Sequence, residues 1–372
     1  MSALSAPSPY SQAKAEAVAG AAGAMVAPVC WPAVVPGSST GFGALREAGP
    51  TVRKAGPISM KRLELFRLAA PKDSGAHRYP GTVTDVLPPA PAPLPTTLAE
   101  ASEAGRTLIM GIINVTPDSF SDGGRWDTTD LAVAHGRQLR AQGADLLDVG
   151  GESTRPGAAR ITPATEQERI IPVVRALAAS GAVVSVDTVH AATAEAAVGA
   201  GAVIVNDVSG GLADPAMHRV VADTGVVYIC QHWRGDPGTM DRLTDYSALG
   251  GVVDGVETEL RERLDELDAA GADLRQVVID PGLGFAKTHA QSWRLLTATE
   301  RLRVDLGLPV LIGSSRKRFL AAAVPGSAAA DPIARDAATA ATTALAALAG
   351  AWAVRVHEVP ANRDAVRTAS LW

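Results

Sequence analysis

Cysteine is nearly missing from this 372-residue chain: only Cys30 and Cys230 occur, far apart and in unlike segments. That excludes a disulfide framework and fits a reducing compartment, so a cytoplasmic location is expected. No continuous apolar span reaches membrane length, and no membrane association is expected. The stretch Ala17 to Pro36 is interrupted by Pro28, Pro32 and Pro36 and has no basic leader, which argues against a secretory signal. Basic runs with interleaved aromatics are also absent, and the net charge is −5, so no nucleic-acid surface is expected. What remains is a chain with 47% hydrophobic and 20% charged residues, enough for one large core plus an extra segment. Small-molecule chemistry is the default reading.

Residues 1–104 differ from the rest. They are rich in Ala, Pro, Gly and Ser, and Pro88 to Pro95 reads as a stiff extended linker that cannot join a packed core. The segment is expected to be a largely disordered extension, with Met60 to Ala69 as a short amphipathic helix that is transient or docks elsewhere.

From residue 105 onward one pattern repeats. Leu108 to Ile113 runs into Asn114 and the loop V-T-P-D-S-F-S-D-G-G; Leu146 to Val149 opens into G-G-E-S-T-R-P-G-A; Val183 to Val186 ends on Asp187-Thr188. Val203 to Val205 ends on Asn206-Asp207, Val226 to Cys230 on Gln231-His232, and Val277 to Ile279 on Asp280-Pro281-Gly282. Pro309 to Ile312 leads into Gly313-Ser314-Ser315-Arg316-Lys317, and Ala353 to Val356 carries Arg355 and ends on His357. Helical segments lie between, at Ala132 to Gln142, Thr165 to Ala179, Ala191 to Gly199, Ala248 to Ala270 and Asp336 to Leu348. Eight short apolar strands alternating with amphipathic helices imply a parallel sheet closed as a (β/α)8 TIM barrel over 105–372, with the site where strands end. A doubly wound open sheet is the rival; it would usually carry a Gly-rich phosphate turn after its first strand, where this chain has Asn, Asp and Ser. The run Gly282 to Thr288 is not a phosphate loop either, because Ala286 stands where that motif needs Gly.

These residues, taken together, bear a resemblance. N-V-T-P-D-S-F-S-D-G-G, G-G-E-S-T-R-P-G-A, V-D-T, N-D-V-S-G-G, D-P-G-L-G-F-A-K, S-R-K-R-F and R-V-H follow in the order and spacing of dihydropteroate synthase, a pterin-binding barrel family. The resemblance runs from about Arg106 to the C-terminus. It implies condensation of 6-hydroxymethyl-7,8-dihydropterin pyrophosphate with para-aminobenzoate, with sulfonamides competing for the aminobenzoate position, Mg2+ as cofactor and a homodimer.

It also implies roles. Asp187, Asn206 and Asp280, with Lys317, would hydrogen-bond the pterin edge; the plain alternative for each Asp or Asn is to cap the helix that follows. Asn114, Arg155, Arg355 and His357 would hold the pyrophosphate, with Asn114 offering an oxygen to Mg2+. Arg355 and His357 are two apart on a strand and share a face. Thr154, Pro156, Ser315, Arg316, Phe120 and Phe285 would form the aminobenzoate wall; the alternatives are packing for the aromatics and a solvated basic corner for Ser315 to Arg318. Lys317, Arg355 and Asn114 are the expected catalytic residues. Thr116 to Gly124 and Ser153 to Arg160 have the Gly and Pro content of lids that keep water from a cationic centre.

The chain departs from the family pattern in several places. Val189-His190 follow V-D-T where Met-Arg or similar is usual, Gln231 replaces a Met expected on the pterin face, Ala321 replaces a Gly, and Glu358 replaces an Asp. A second reading therefore stands beside the first: a pterin- or folate-binding paralogue such as a methyltransferase, which would need no aminobenzoate wall.

Overall fold

The computed structural model describes residues 94, 102, 105–116, 125–152, 160–236 and 238–372. Strands and helices alternate: β1 (Leu108–Asn114), α1 (Arg125–Gln142), β2 (Leu146–Gly150), α2 (Pro163–Ala179), β3 (Val184–Asp187), α3 (Ala191–Gly199), β4 (Ile204–Asp207), α4 (Met217–Thr224) and β5 (Val227–Gln231). Then follow α5 (Val252–Ala269), β6 (Val277–Asp280), α6 (His289–Thr297), α7 (Thr299–Leu306), β7 (Leu311–Ile312), α8 (Asp336–Leu348), β8 (Ala353–Val356) and α9 (Pro360–Leu371).

All neighbouring strands pair in parallel, in the order β6-β5-β4-β3-β2-β1-β8-β7. A single bridge, Ile279 to Val310, joins the two ends of this ladder and closes the barrel. The expected TIM barrel is what forms, and the eight strands begin and end within a residue or two of the expected runs.

Strand geometry sends alternate side chains to opposite faces, and here the two faces build two cores. Leu108, Met110, Leu146, Ile204, Val227, Ile229, Val278, Leu311 and Ala353 form one buried cluster. Their sequence neighbours Ile109, Leu147, Val205, Tyr228, Val277, Ile279, Ile312 and Val354 belong to a second that includes buried residues of the helices, such as Leu177, Leu260 and Ala346. The first cluster fills the barrel interior and the second lies between sheet and helices. Extending the interior parity to the carboxyl end of each strand gives Asn114, Gly150, Asp187, Asn206, Gln231, Asp280 and Arg355. The apolar stripe turns polar at one end of the barrel.

Local signals place the helices. Thr162 caps α2 with its hydroxyl, and Pro163 takes the first helical position. Thr288 and Gln291 form a capping box on α6. Gly225 ends α4 in the left-handed region, at φ 63°.

Leu94 corrects one expectation. It lies in the Pro-rich run read as a linker outside any core, yet it packs half-buried against the interior cluster. Proline fixes the backbone but leaves a leucine between prolines free to project, and the cluster offers it apolar partners. The helix expected at Met60 to Ala69 and Cys30 lie outside the described residues. Cys230 is buried and unbridged. No helix among the described residues is long and apolar enough to cross a membrane.

Candidate active site

Arg355 anchors the polar end of the barrel. Its Nε donates to Asp148 Oδ2 and its Nη2 to Asp187 Oδ2, both at 2.6 Å. Asn206 Nδ2 donates to the same Asp148 oxygen at 3.0 Å. Four strands, β2, β3, β4 and β8, thus meet through side chains of one parity. Burial disfavours the Arg355 cation, but Asp148 and Asp187 outweigh it and keep the group firmly protonated. Burial also pushes the Asp187 carboxyl up to about 7, against the pull of Arg355. Neither Asp187 nor Asn206 caps a helix: α3 is preceded by His190, which makes no side-chain cap bond. Arg355 forms its ion pairs among the strand ends.

Asp280 lies across the barrel. Its Oδ1 accepts from Gly282 N at 2.7 Å, so one oxygen orders its own turn. Burial raises its pKa, with Lys317 acting in the opposite direction. Lys317 Nζ donates to the Leu283 carbonyl and lies 4.7 Å from the centre of the Phe285 ring. Burial draws the Lys317 ammonium down to about 8. It is a half-buried cation and not part of a solvated corner.

His357 and Ser315 are bonded to each other, Oγ to Nδ1 at 2.9 Å, and Ser315 is buried. Arg316 differs from expectation. Its backbone is left-handed, at φ 59°, and its Nε and Nη2 both bind Asp336, at 2.7 and 2.8 Å. The guanidinium edge expected to meet an aminobenzoate carboxylate is therefore filled from α8.

A small pocket, partly open to solvent, is lined by Glu152, Arg160, Glu166, Asp187, Thr188, Val189, Val208, Trp233 and Phe285. Of the residues singled out in the sequence, Asp187 and Phe285 meet there. Phe120, Thr154, Arg155 and Pro156 lie outside the described residues, as do most of both lid loops. Asn114 ends β1 on the interior parity and is half-buried. Among the described residues no group of three or more His, Cys, Asp and Glu is arranged to hold a metal ion. One amide oxygen from Asn114 suits only an ion that takes its other ligands from substrate and water, as Mg2+ does.

Several site residues escaped sequence reading. Asp148 is fully buried inside the run L-L-D-V-G. A carboxylate at an interior position of an otherwise apolar strand is costly without a partner, and that anomaly was the available signal. Glu166 reads as an ordinary acid of a first helical turn, but it is buried and accepts from Thr188 Oγ1 at 2.7 Å. Trp233 carried no signal beyond its place after a strand. The departures from the family pattern fit locally: Val189 lines the pocket, Glu358 accepts from Ala361 N in the first turn of α9 at 3.0 Å, and Gln231 is buried with Nε2 3.3 Å from the Val208 carbonyl.

The family model described as "pterin binding enzyme" matches residues 110–357. The chain is 50% identical over 268 residues to the dihydropteroate synthase of Mycobacterium leprae, covering 71% of this chain and 93% of that one. The chain belongs to the dihydropteroate synthase family. Its fold matches that of the Xanthomonas albilineans enzyme solved with 4-aminobenzoic acid, at TM-score 0.65 and 43% identity, covering 72% of this chain and 93% of the other. A structure of the same enzyme with 7,8-dihydropteroate gives TM-score 0.63 and 40% identity over the same shares.

Proposed function

We propose that this chain condenses 6-hydroxymethyl-7,8-dihydropterin pyrophosphate with para-aminobenzoate, giving 7,8-dihydropteroate and pyrophosphate for folate synthesis. The observation that carries this reading is the convergence of Asp187, Asn206, Asp280, Lys317 and Arg355 at one end of the barrel, joined to membership of a family whose relatives bind 4-aminobenzoic acid and dihydropteroate.

The chemistry asks little of a nucleophile. The C–O bond between the pterin methylene and pyrophosphate breaks, and the electron pair leaves with pyrophosphate. The aniline nitrogen forms the new C–N bond and loses its proton. Asp187, Asn206 and Asp280 present the acceptors and donors that a pterin edge requires, and a ring lacking those groups would leave buried carboxylates unpaired. Arg355 and His357 stabilise charge accumulating on the leaving oxygens, while Lys317 faces the pterin and the developing centre. Ser315 supplies a hydroxyl for the aminobenzoate carboxylate and Phe285 an apolar wall for its ring. Arg155, Thr154, Pro156 and Phe120 are assigned on the motifs alone. Asn114 would hold Mg2+ together with pyrophosphate oxygens, and the ion would help neutralise their charge. A cytoplasmic homodimer completes the reading.

The test is to incubate purified protein with Mg2+, the pterin pyrophosphate and labelled para-aminobenzoate and to measure dihydropteroate. Product formed by the wild type and severely reduced in Lys317→Ala supports the synthase. Bound pterin with no product overturns it in favour of a paralogue without synthase activity.

A further inference from the structure

A second polar cluster lies beside the site and has no part in the chemistry above. Lys287 is buried, with Nζ 2.9 Å from His232 Nδ1 and 2.8 Å from the Phe285 carbonyl. His232 Nε2 lies 2.6 Å from Glu259 Oε2 on α5. Since Lys287 donates to Nδ1, the ring proton sits on Nε2 and is donated to Glu259. Arg234 binds both oxygens of the same Glu259 and stacks 3.7 Å over the Tyr246 ring. Tyr246 closes the circuit, its hydroxyl donating to the Ala286 carbonyl at 3.2 Å.

The charges are consistent with these donors. Burial brings His232 down to about 3, with Lys287 adding to the effect, so the ring is neutral. Burial holds Lys287 well below the usual lysine range. The two acceptors within reach, His232 Nδ1 and the Phe285 carbonyl, each take one of its N–H groups.

What the circuit ties together is two loops. One carries His232, Trp233 and Arg234 after β5; the other carries Gly282 to Lys287 after β6. Their backbones touch: a Cβ added at Gly282 would come within 2.3 Å of the His232 carbonyl. Carbonyls 285 and 286 both accept from cluster side chains, and between them Ala286 holds a left-handed φ of 50°, a conformation a non-glycine residue keeps only when its surroundings enforce it. Trp233 and Phe285, one from each loop, line the same pocket.

We propose that Lys287 is a positioning residue for the aminobenzoate side of the site, acting through His232 and the Phe285 carbonyl to hold the Trp233 and Phe285 rings where a flat aryl acceptor packs between polar groups. This rests on the synthase reading. A planar ring gains from contact with aromatic faces only when their placement is fixed before it arrives.

The experiment is steady-state kinetics of the full chain, with each substrate varied in turn, for wild type, Lys287→Met and Tyr246→Phe. Lys287→Met should raise KM for para-aminobenzoate about tenfold, while kcat and KM for the pterin pyrophosphate stay within about threefold. Tyr246→Phe, which removes one hydroxyl from the far side of the circuit, should raise the same KM about threefold. Equal effects on both KM values, a fall in kcat alone, or no change overturns the proposal. Should Lys287→Met fail to fold, Tyr246→Phe decides by the same criteria. Wild-type protein that makes no product overturns the synthase reading and this proposal with it; an active wild type with an unchanged aminobenzoate KM in the variants overturns this proposal alone.

Discussion

Arg355 and Asp148 form a buried ion pair, Nε to Oδ2 at 2.6 Å, across the interior of the barrel. Asp148 is fully enclosed and its other oxygen, Oδ1, has no hydrogen-bond partner among the described residues. The pair therefore orients the guanidinium toward Asp187 more than it adds stability of its own.

Removing the Asp148 charge should be felt in both fold and function. Asp148→Asn leaves Arg355 a single carboxylate partner, and about 3 kcal/mol of stability should be lost. Urea unfolding measures that loss, and KM for the pterin pyrophosphate should rise in the same variant. Unchanged stability would mean that Asp187 alone satisfies the cation.

Activity should have two pH limits. Asp187 titrates at about 7, so kcat/KM for the pterin pyrophosphate should fall as pH drops through that value and its carboxylate protonates. Lys317 titrates at about 8, so activity should fall again as pH rises through it and the ammonium is lost. Lys317→Arg keeps its charge and should abolish the upper limit, while Lys317→Ala should lower kcat about 100-fold with little change in Tm. A profile flat from pH 6 to 9 would remove both assignments.

Lys317 also bears on stability. Its folded pKa lies below its unfolded value, so folding releases a proton between about 8 and 10.5, and its burial penalty should ease as pH rises through that window. Lys317→Met should erase this contribution, a difference read by comparing unfolding at pH 7.5 and 10.

Gln231→Met restores an apolar contact on the expected pterin face. Among the described residues the amide makes a long bond to the Val208 carbonyl, at 3.3 Å, so the exchange should change stability by less than about 1 kcal/mol. Pterin affinity, measured by calorimetry, should increase severalfold because no amide then needs desolvating. A weaker affinity would show that Gln231 itself hydrogen-bonds the ligand.

Leu94→Asp should lower Tm with kcat unchanged, because the contact it breaks is an apolar one with the interior cluster. A lost kcat would tie the extension to the site.

The barrel was legible because each strand is a short, mostly apolar run and each run gives way to residues that the next segment does not need as core. The places of Asp187, Asn206 and Asp280 at strand ends were legible for the same reason, as was that of Arg355 at the end of the last strand. Asp148 was not, since a lone acid inside L-L-D-V-G has no local partner and its partner lies 207 residues away. The pairing of Arg316 with Asp336 was not legible, because its side chain follows a left-handed backbone that no pattern in S-R-K-R announces. The Lys287 circuit was hidden in the same way: it joins side chains from two loops and a helix, and only His232 and Arg234 are near neighbours in sequence.

The barrel's ladder is continuous except between β6 and β7, where one bridge from Ile279 to Val310 does the closing. Asp280 follows on one side of that seam, and Lys317 reaches from the other to the Leu283 carbonyl. A pterin bonded to both residues, as proposed, would be a stitch across the thinnest part of the wall. Amide protons at the seam should then exchange with solvent faster in the empty protein than in the liganded one, the ligand closing, from inside, the cylinder that holds it.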